Sequence, residues 1–474
     1  MLQKIQSFWD WLLTSFQLIL GVLFSNAVVV IGFFLAIVII MRIFREQRRP
    51  SSIFAWSFFI LLIPPLGVPL YFIFGGRKLK KKIKAKGLLT QARDSEHSIY
   101  PASDQFYSSG NKVSFQMDGQ IAFHNFCRAI KEAEREIHIL TYIIANDEVG
   151  KEIIQLLTEK AGQGVRVRLL VDALGSFRRP KNEIAHLKAA GGEVFTFMPA
   201  FPLQTHGWAN LRNHRKIALF DNRKCILGGR NLDNRFMGSN PDTERFYDFG
   251  AIYEGPVVEY LNGIFISDWS FASKHSGESI SGLITESPSS QGDSAVAGIA
   301  SGPDVEGDLL YERLVSMIQE FDKELIVVTP YFIPDEVLLR SLIVKARRGK
   351  RITLVLPEKS NWALVDFART QYLRELHHAG VNIQLFTEGM LHAKLMLSDK
   401  KIALHGSANF DIRSLFVNFE IGMIHTSIED IEPIITWLDW LCDRCRPFGN
   451  EQELNPPKVR KILEEAARLI APLL

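Results

Sequence analysis

Two histidine–lysine pairs stand at a constant offset of 178 residues in matching surroundings. The first reads Asn213-His214-Arg-Lys216-Ile-Ala-Leu-Phe-Asp221 and then Gly228-Gly229-Arg-Asn231. The second reads Leu391-His392-Ala-Lys394-Leu-Met-Leu-Ser-Asp399 and then Gly406-Ser407-Ala-Asn409. A lone H-x-K is an ordinary strand with two polar side chains; two copies agreeing at five fixed positions are a chemical set. Alternate residues of a strand share a face, so each histidine projects beside its lysine. Two imidazoles can act as nucleophile and general acid, two ammonium groups can neutralise phosphoryl oxygens, and the amides of Asn231 and Asn409 can donate hydrogen bonds. No carboxylate cluster or H-E-x-x-H pattern accompanies them, so the lysines take the place a metal would hold, and neither metal nor cofactor is expected. Cys442 and Cys445 form a C-x-x-C with no second pair nearby and read as incidental.

These residues need a scaffold, and the chain supplies the same one twice. Glu136–Tyr142 and Glu324–Tyr331 are strand-like runs, each after an amphipathic helix (Ala122–Glu134, Leu310–Phe321). Each is followed by a helix, a glycine and another strand (Gly164–Val171, Gly349–Leu356), then a helix closing on Ala-Gly and a further strand. Strands alternating with helices argue for an α/β fold with parallel layers in each half. We expect one half over 118–272, a Ser/Gly-rich linker over 273–300, and a second half with an amphipathic tail over 301–474. Asp221 and Asp399 complete the doubled motif but open turns, and are expected to hold those turns rather than touch substrate.

Ahead of the repeat lies a different kind of chain. Of 474 residues, 47% are apolar and 23% charged, with a net charge of +3. The near-neutral total hides a split: a net of +10 through Lys86 and −7 beyond it. A basic leader on an acidic body disfavours a nucleic-acid enzyme. Trp11–Met41 and Pro50–Gly76 carry no charge over 31 and 27 residues. Both are long enough to span a bilayer, and the first is too long for a cleaved signal peptide. Residues 1–86 therefore read as a membrane anchor. Leu18–Met41 is expected to span once; Pro64, Pro65, Gly67 and Pro69 break the second run, which is expected to fold back within the inner leaflet. Arginines 42–49 and the lysines after Gly76 put the catalytic body on the cytoplasmic side, against anionic lipid. An ordinary two-span hairpin is the rival.

The doubled motif resembles the phospholipase D superfamily, with its paired HKD motifs, and within it the bacterial cardiolipin synthases. Asn210–His214, Ser301–Asp304, Pro330–Pro334, Asn409–Leu415 with Asn418–Glu420, and Pro64–Tyr71 add to the resemblance. Gly229 departs from it where the family commonly has Ser; the lost hydroxyl is expected to weaken phosphate binding slightly, while Ser407 keeps it. The resemblance implies two α/β sandwich halves, a duplicated phospholipase D-like domain with one shared active site. It implies a phosphatidyltransferase that makes cardiolipin and glycerol from two phosphatidylglycerols through a phosphatidyl-histidine. His214 is expected to attack and His392 to serve as acid and base, while Asp248 and Glu420 match family carboxylates that orient the histidines. The implied partners are phosphatidylglycerol and anionic membrane lipid, in a bacterial inner membrane; a homodimer is left open. Water in place of the acceptor alcohol would make the enzyme a membrane phospholipase D, and a non-catalytic scaffold on the same fold is the reading from another class.

Overall fold

The computed structural model describes residues 33–45, 50–74, 106–199, 210–273, 288–305 and 307–470. The described residues fall into two units, one from the N-terminal segment (33–45 and 50–74), the other from residue 106 onward.

The second unit is built on one sheet of fifteen strands. The first half contributes β1 (Phe106–Gln116), β2 (Glu136–Thr141), β3 (Arg166–Asp172), β4 (Glu193–Phe197), β5 (Ile217–Phe220), β6 (Lys224–Gly228) and β7 (Gly250–Glu254). The second contributes β8 (Ser294–Ser301), β9 (Glu324–Val328), β11 (Arg351–Pro357), β12 (Asn382–Phe386), β13 (Leu395–Ser398), β14 (Ile402–Gly406), β16 (Glu420–His425) and the edge strand β17 (Cys445–Pro447). Two short strands, β10 (Phe332–Ile333) and β15 (Phe410–Asp411), pair separately. The order β1-β7-β6-β5-β2-β3-β4 in one half is repeated as β8-β16-β14-β13-β9-β11-β12 in the other. The halves meet where β1 runs antiparallel to β8, with Phe106 opposite Gly298.

The sheet is mixed, which corrects the expectation of parallel layers. Only β2-β3-β4 and β9-β11-β12 run parallel within the halves; β5, β6 and β7 and their counterparts run antiparallel. The helical crossovers visible in the sequence belong to the parallel three, and short turns join the rest, as antiparallel neighbours permit. Strand β1 precedes the start expected at 118, and β8 lies inside the stretch read as a linker. Their Ser, Asn and Gly content masks the alternation that marks a strand.

Both faces of each half are covered, and the strands show it residue by residue. On β2, Ile137 and Ile139 pack with Ile153 and Leu157 of one helical layer. His138, between them, stacks on Phe265 of helix Val257–Ser273 at 4.7 Å on the opposite face. On β13, Met396 joins Leu314 and Leu354, whereas Leu395 and Leu397 face Trp437 and Leu438 of helix Ile428–Cys442. Burying large apolar side chains on both faces removes roughly 1.5–3 kcal/mol of exposure cost per residue, and holds the sheet as a plate.

In the N-terminal unit, residues 33–45 are helical, and the second apolar run is two short helices rather than one. Helix Pro50–Leu62 stops at Ile63 and helix Pro64–Phe74 follows, with Pro69 inside it. The second helix leans closely on the first: a Cβ on Gly67 would lie 2.7 Å from Ile60 Cα. Ala36, Ile39, Ile43, Ile60 and Tyr71 form the small interior, and Phe34, Phe54, Phe58 and Leu62 remain exposed. Among the described residues no helix is long and apolar enough to cross a membrane. Most of the expected span, residues 18–32, and the lysines after Gly76 lie outside the described residues.

Candidate active site

The two motifs approach the sheet from opposite halves and are locked together there. His214 and Lys216 sit in the extended stretch just before β5 rather than within it. That stretch bridges to the other half: His214 N donates to Phe419 O at 2.9 Å, and Phe419 N donates to Arg212 O. The second motif repeats this, with His392 N donating to Tyr247 O at 2.6 Å.

Because each motif is sewn to the other half, the residue following each sewing point is a carboxylate that meets the other half's histidine. His214 Nδ1 lies 3.0 Å from Glu420 Oε1, and His392 Nδ1 lies 2.7 Å from Asp248 Oδ2. Both acids are fully buried. Burial pushes the Asp248 carboxyl up, but Lys394 and His392 outweigh it and hold it below the usual carboxylate range. Glu420 is likewise pushed up by burial and brought below its ordinary value by His214 and Lys216. Each acid therefore stays ionised, accepts from Nδ1 and leaves Nε2 for chemistry.

Burial and a nearby ammonium shape the other groups. His392 is pushed down to about 3 by burial and then by Lys394, while burial lowers His214 against the pull of Glu420. The His214 side chain is 13% exposed and that of His392 7%. Burial lowers Lys216 to about 7 and Lys394 to about 8. Both ammonium groups donate to the carbonyl of their own motif's histidine, Lys216 at 2.7 Å. Lys394 Nζ also lies 2.6 Å from His392 Nδ1, where Asp248 already takes the proton, so the ammonium acts there as a charge. Tyr142 meets His214 edge-on with ring centroids 5.0 Å apart, and Tyr331 meets His392 at 6.4 Å.

The remaining expected residues divide. Asn231 Oδ1 accepts from Ile143 N at 3.3 Å, leaving its amide N–H groups to donate. Asn409 donates to Asp411 at 3.0 Å, while its own Oδ1 is buried without a partner. Ser407, expected to bind substrate, is committed elsewhere: its hydroxyl donates to Glu420 Oε2 and accepts from Ile421 N. It positions an acid. At Gly229 the corresponding space is filled, because a Cβ there would lie 2.2 Å from Asp248 Oδ1. The glycine makes room for the shorter acid, which corrects its reading as a lost phosphate donor.

Asp221 and Asp399 sit in the turns, apart from the histidines. Asp221 accepts from Glu134, Arg135 and Glu136 N, and Asp399 from Asp322, Lys323 and Glu324 N, all at 2.7–2.9 Å. Although counted with the catalytic set of the motif, their carboxylates are taken up by backbone donors that begin β2 and β9. Two arginines escaped the sequence reading. Arg215, fully buried, donates to Glu420 O, to Ser301 O, to Asp268 and to Asp304. Arg230 donates to Asp248 O at 2.6 Å and to Gln116 O. Each grips the backbone of one histidine-orienting acid, and both come from the first half. Alanine stands at the matching positions 393 and 408, so the break in the repeat was the available signal. Among the described residues, no group of three or more His, Cys, Asp or Glu is arranged to hold a metal.

Known proteins are similar to this chain in sequence and in fold. A family model for the phospholipase D-like domain of cardiolipin synthase matches residues 126–269 and 314–442, and one for the N-terminal region of phospholipase D-nuclease proteins matches 34–76. The chain is 30% identical to a cardiolipin synthase of Halalkalibacterium halodurans over 99% of its own length and 96% of the relative's. It is also 30% identical to the major cardiolipin synthase ClsA of Bacillus subtilis, covering 94% and 98% of the two chains. A phosphatidylserine synthase structure from Haemophilus influenzae shares the fold at TM-score 0.60 and 15% identity, over 76% of this chain and 95% of that one. With its two sewn motifs and crossed histidine–acid pairs, the chain belongs to the cardiolipin synthase family of phospholipase D-like proteins.

Proposed function

We propose that the chain is a cardiolipin synthase, a phosphatidyltransferase that joins two phosphatidylglycerols and releases glycerol. The observation that carries this reading is the pair of buried histidines, each held through Nδ1 by a carboxylate of the opposite half. Such a set performs a double displacement. Nε2 of one histidine attacks phosphorus, and the bond to the glycerol oxygen breaks while the other histidine delivers its proton. The second histidine, now neutral, takes the proton of a second phosphatidylglycerol's hydroxyl. That oxygen attacks phosphorus, the phosphorus–nitrogen bond breaks, and cardiolipin leaves. Lys216 and Lys394 neutralise the non-bridging oxygens, and Asn231 and Asn409 donate to them.

His214, the more exposed of the pair, is assigned the attack and His392 the acid–base role. One observation favours the opposite order: the His392 imidazole is held neutral down to about 3, and a neutral ring is the attacking form. Trapping the phosphorylated histidine in His214→Ala and in His392→Ala decides between them. The transfer itself is tested with purified full-length protein in phosphatidylglycerol micelles, following lipid products and free glycerol together. Equimolar cardiolipin and glycerol support the reading; phosphatidic acid as the only lipid product replaces it with hydrolysis.

The enzyme acts at a membrane. We place the catalytic unit on the cytoplasmic face of a bacterial inner membrane, with the broken pair Pro50–Leu62 and Pro64–Phe74 as a re-entrant hairpin. The break at Ile63 and the exposed Phe54 and Phe58 of the first helix and Leu66 of the second support it. Labelling single cysteines at Gln47 and Lys86 with an impermeant reagent on intact cells tests it; labelling at either position overturns it.

A further inference from the structure

In each half an exposed stretch after the second parallel strand is hydrogen-bonded to the tyrosine segment that lies against the histidine. In the first half it follows β3. Asp172 Oδ1 accepts from Leu174 N and Gly175 N at 2.9 and 3.1 Å, curling the chain back on itself. Ser176 Oγ then donates to Tyr142 O at 2.9 Å and accepts from Ile144 N at 3.1 Å. The loop is thereby fastened to the segment whose Tyr142 ring lies against His214. In the second half the loop follows β11. Tyr331, the ring against His392, donates its hydroxyl to Asn361 Oδ1 at 2.5 Å, and Ser360 and Trp362 hydrogen-bond across the loop.

Both loops turn large apolar side chains outward. Phe177 is 62% exposed and Leu174 50%; Trp362 is 56% exposed and Leu364 36%. Scattered exposed apolar residues need no explanation. Here they follow the corresponding strands β3 and β11 of the two halves, with Leu364 already in the first turn of helix Ala363–His378, and both stretches are tied to the tyrosines that lie against the histidines. Basic residues lie beside them: Arg178 in the first loop, Lys181 at the start of the helix that follows it and Lys359 in the second loop are exposed and have no ion-pair partner among the described residues. Of the acids near the first loop, Asp147 caps a helix at Gly150 N and Asp233 pairs with Arg235, which leaves Glu183 against Arg178 and Lys181 and a local excess of positive charge. Aromatic rings with adjacent cations suit the boundary between phosphate headgroups and acyl chains.

We infer that the loops carrying Leu174–Phe177 and Trp362–Leu364 form a two-part wedge that enters an anionic phospholipid surface. The wedge sets the site mouth at headgroup depth, so that lipid reaches His214 and His392 without leaving the bilayer. This rests on the proposed transferase activity and adds the surface by which the catalytic unit engages its membrane.

The test uses full-length protein and the variant Phe177→Ser/Trp362→Ser. Two substrates are compared, long-chain phosphatidylglycerol in mixed micelles and a short-chain phosphatidylglycerol kept below its micellar concentration. The wedge requires a loss of about tenfold or more on the micellar substrate, with monomeric turnover changed less than about twofold. Equal losses on both substrates, or none on either, overturn it, as does a variant-dependent change in oligomeric mass, which would make the face a protein interface. Brominated phosphatidylglycerol vesicles supply a readout independent of turnover. Bromine will also quench Trp9, Trp11 and Trp56 of the anchor, so the readout is the difference between wild type and Trp362→Phe: the emission that this substitution removes should itself be quenched, and an unquenched difference overturns the wedge. An inactive wild type with a quenched Trp362 would sink the transferase reading and leave the wedge standing.

Discussion

His214 and Glu420 are 206 residues apart in sequence and 3.0 Å apart in space. His392 and Asp248 repeat the relationship in the opposite direction, 144 residues apart and at 2.7 Å. The crossing makes a specific claim about energetic coupling. Double-mutant cycles on thermal unfolding should give an interaction energy of about 1–3 kcal/mol for His214→Ala with Glu420→Gln and for His392→Ala with Asp248→Asn. The uncrossed pairs, His214 with Asp248 and His392 with Glu420, should add within about 0.5 kcal/mol. Coupling in the uncrossed pairs instead would mean that each half is self-contained.

One shared site also predicts how activity fails. His214→Ala and His392→Ala should each abolish cardiolipin formation, because nucleophile and acid act as a unit. Retention of about half the wild-type rate by either variant would establish two independent centres.

Much of this was legible in the sequence, and the rest was hidden for identifiable reasons. The doubled motif and the repeat follow from residue types at fixed offsets, and the acids at 248 and 420, 172 residues apart, from the family resemblance. The crossing does not, since an offset of 172 is equally compatible with each acid serving its own half. It becomes visible only when Phe419 and Tyr247 are seen sewn to the opposite motif. Ser407 and Gly229 were misread because the sequence displays a hydroxyl present or absent, not the carboxylate that faces it. The mixed sheet was missed because the helical crossovers dominate the pattern, while β1 and β8 carry too many small polar residues to stand out.

Gly229 gives a sharp test of that geometry. A Cβ at this position would collide with the Asp248 carboxylate, so Gly229→Ser should lower turnover by about a hundredfold or more by pushing Asp248 off His392. The symmetric change Ser407→Ala removes one donor to Glu420 and should cost less. Equal activity of Gly229→Ser and wild type would show that the carboxylate relaxes freely.

The two lysines predict the alkaline limb of the pH profile. Each is held well below the ordinary lysine value, at about 7 and about 8, so each loses its charge as pH rises through that range. Phosphoryl binding by the free enzyme should weaken accordingly, and kcat/KM should fall above about pH 7–8. Once bound, the phosphate's negative charge raises both lysines, so kcat should hold to higher pH. A kcat/KM that stays flat to pH 10 would remove the lysines from phosphate binding.

Arg215 is the structural counterpart. It is fully buried and ion-paired to Asp268 at 2.9 Å and to Asp304 at 3.2 Å. Arg215→Ala leaves buried acids short of a cation, and should destabilise the full-length protein by about 3–5 kcal/mol. Denaturant unfolding in detergent measures it, and a loss under about 1 kcal/mol would show that the acids find other partners.

The continuous sheet through β1 and β8 has a bearing on descent. Were the two halves separate copies of one gene product, symmetry would force identical residues on both sides, and any change would arrive twice. Carried on a single chain, the copies inherit independently. One side has kept a long acid with its serine and the other a short acid with its glycine, and both backbone-gripping arginines have settled in one copy. A single chain leaves two equivalent histidines free to take different roles.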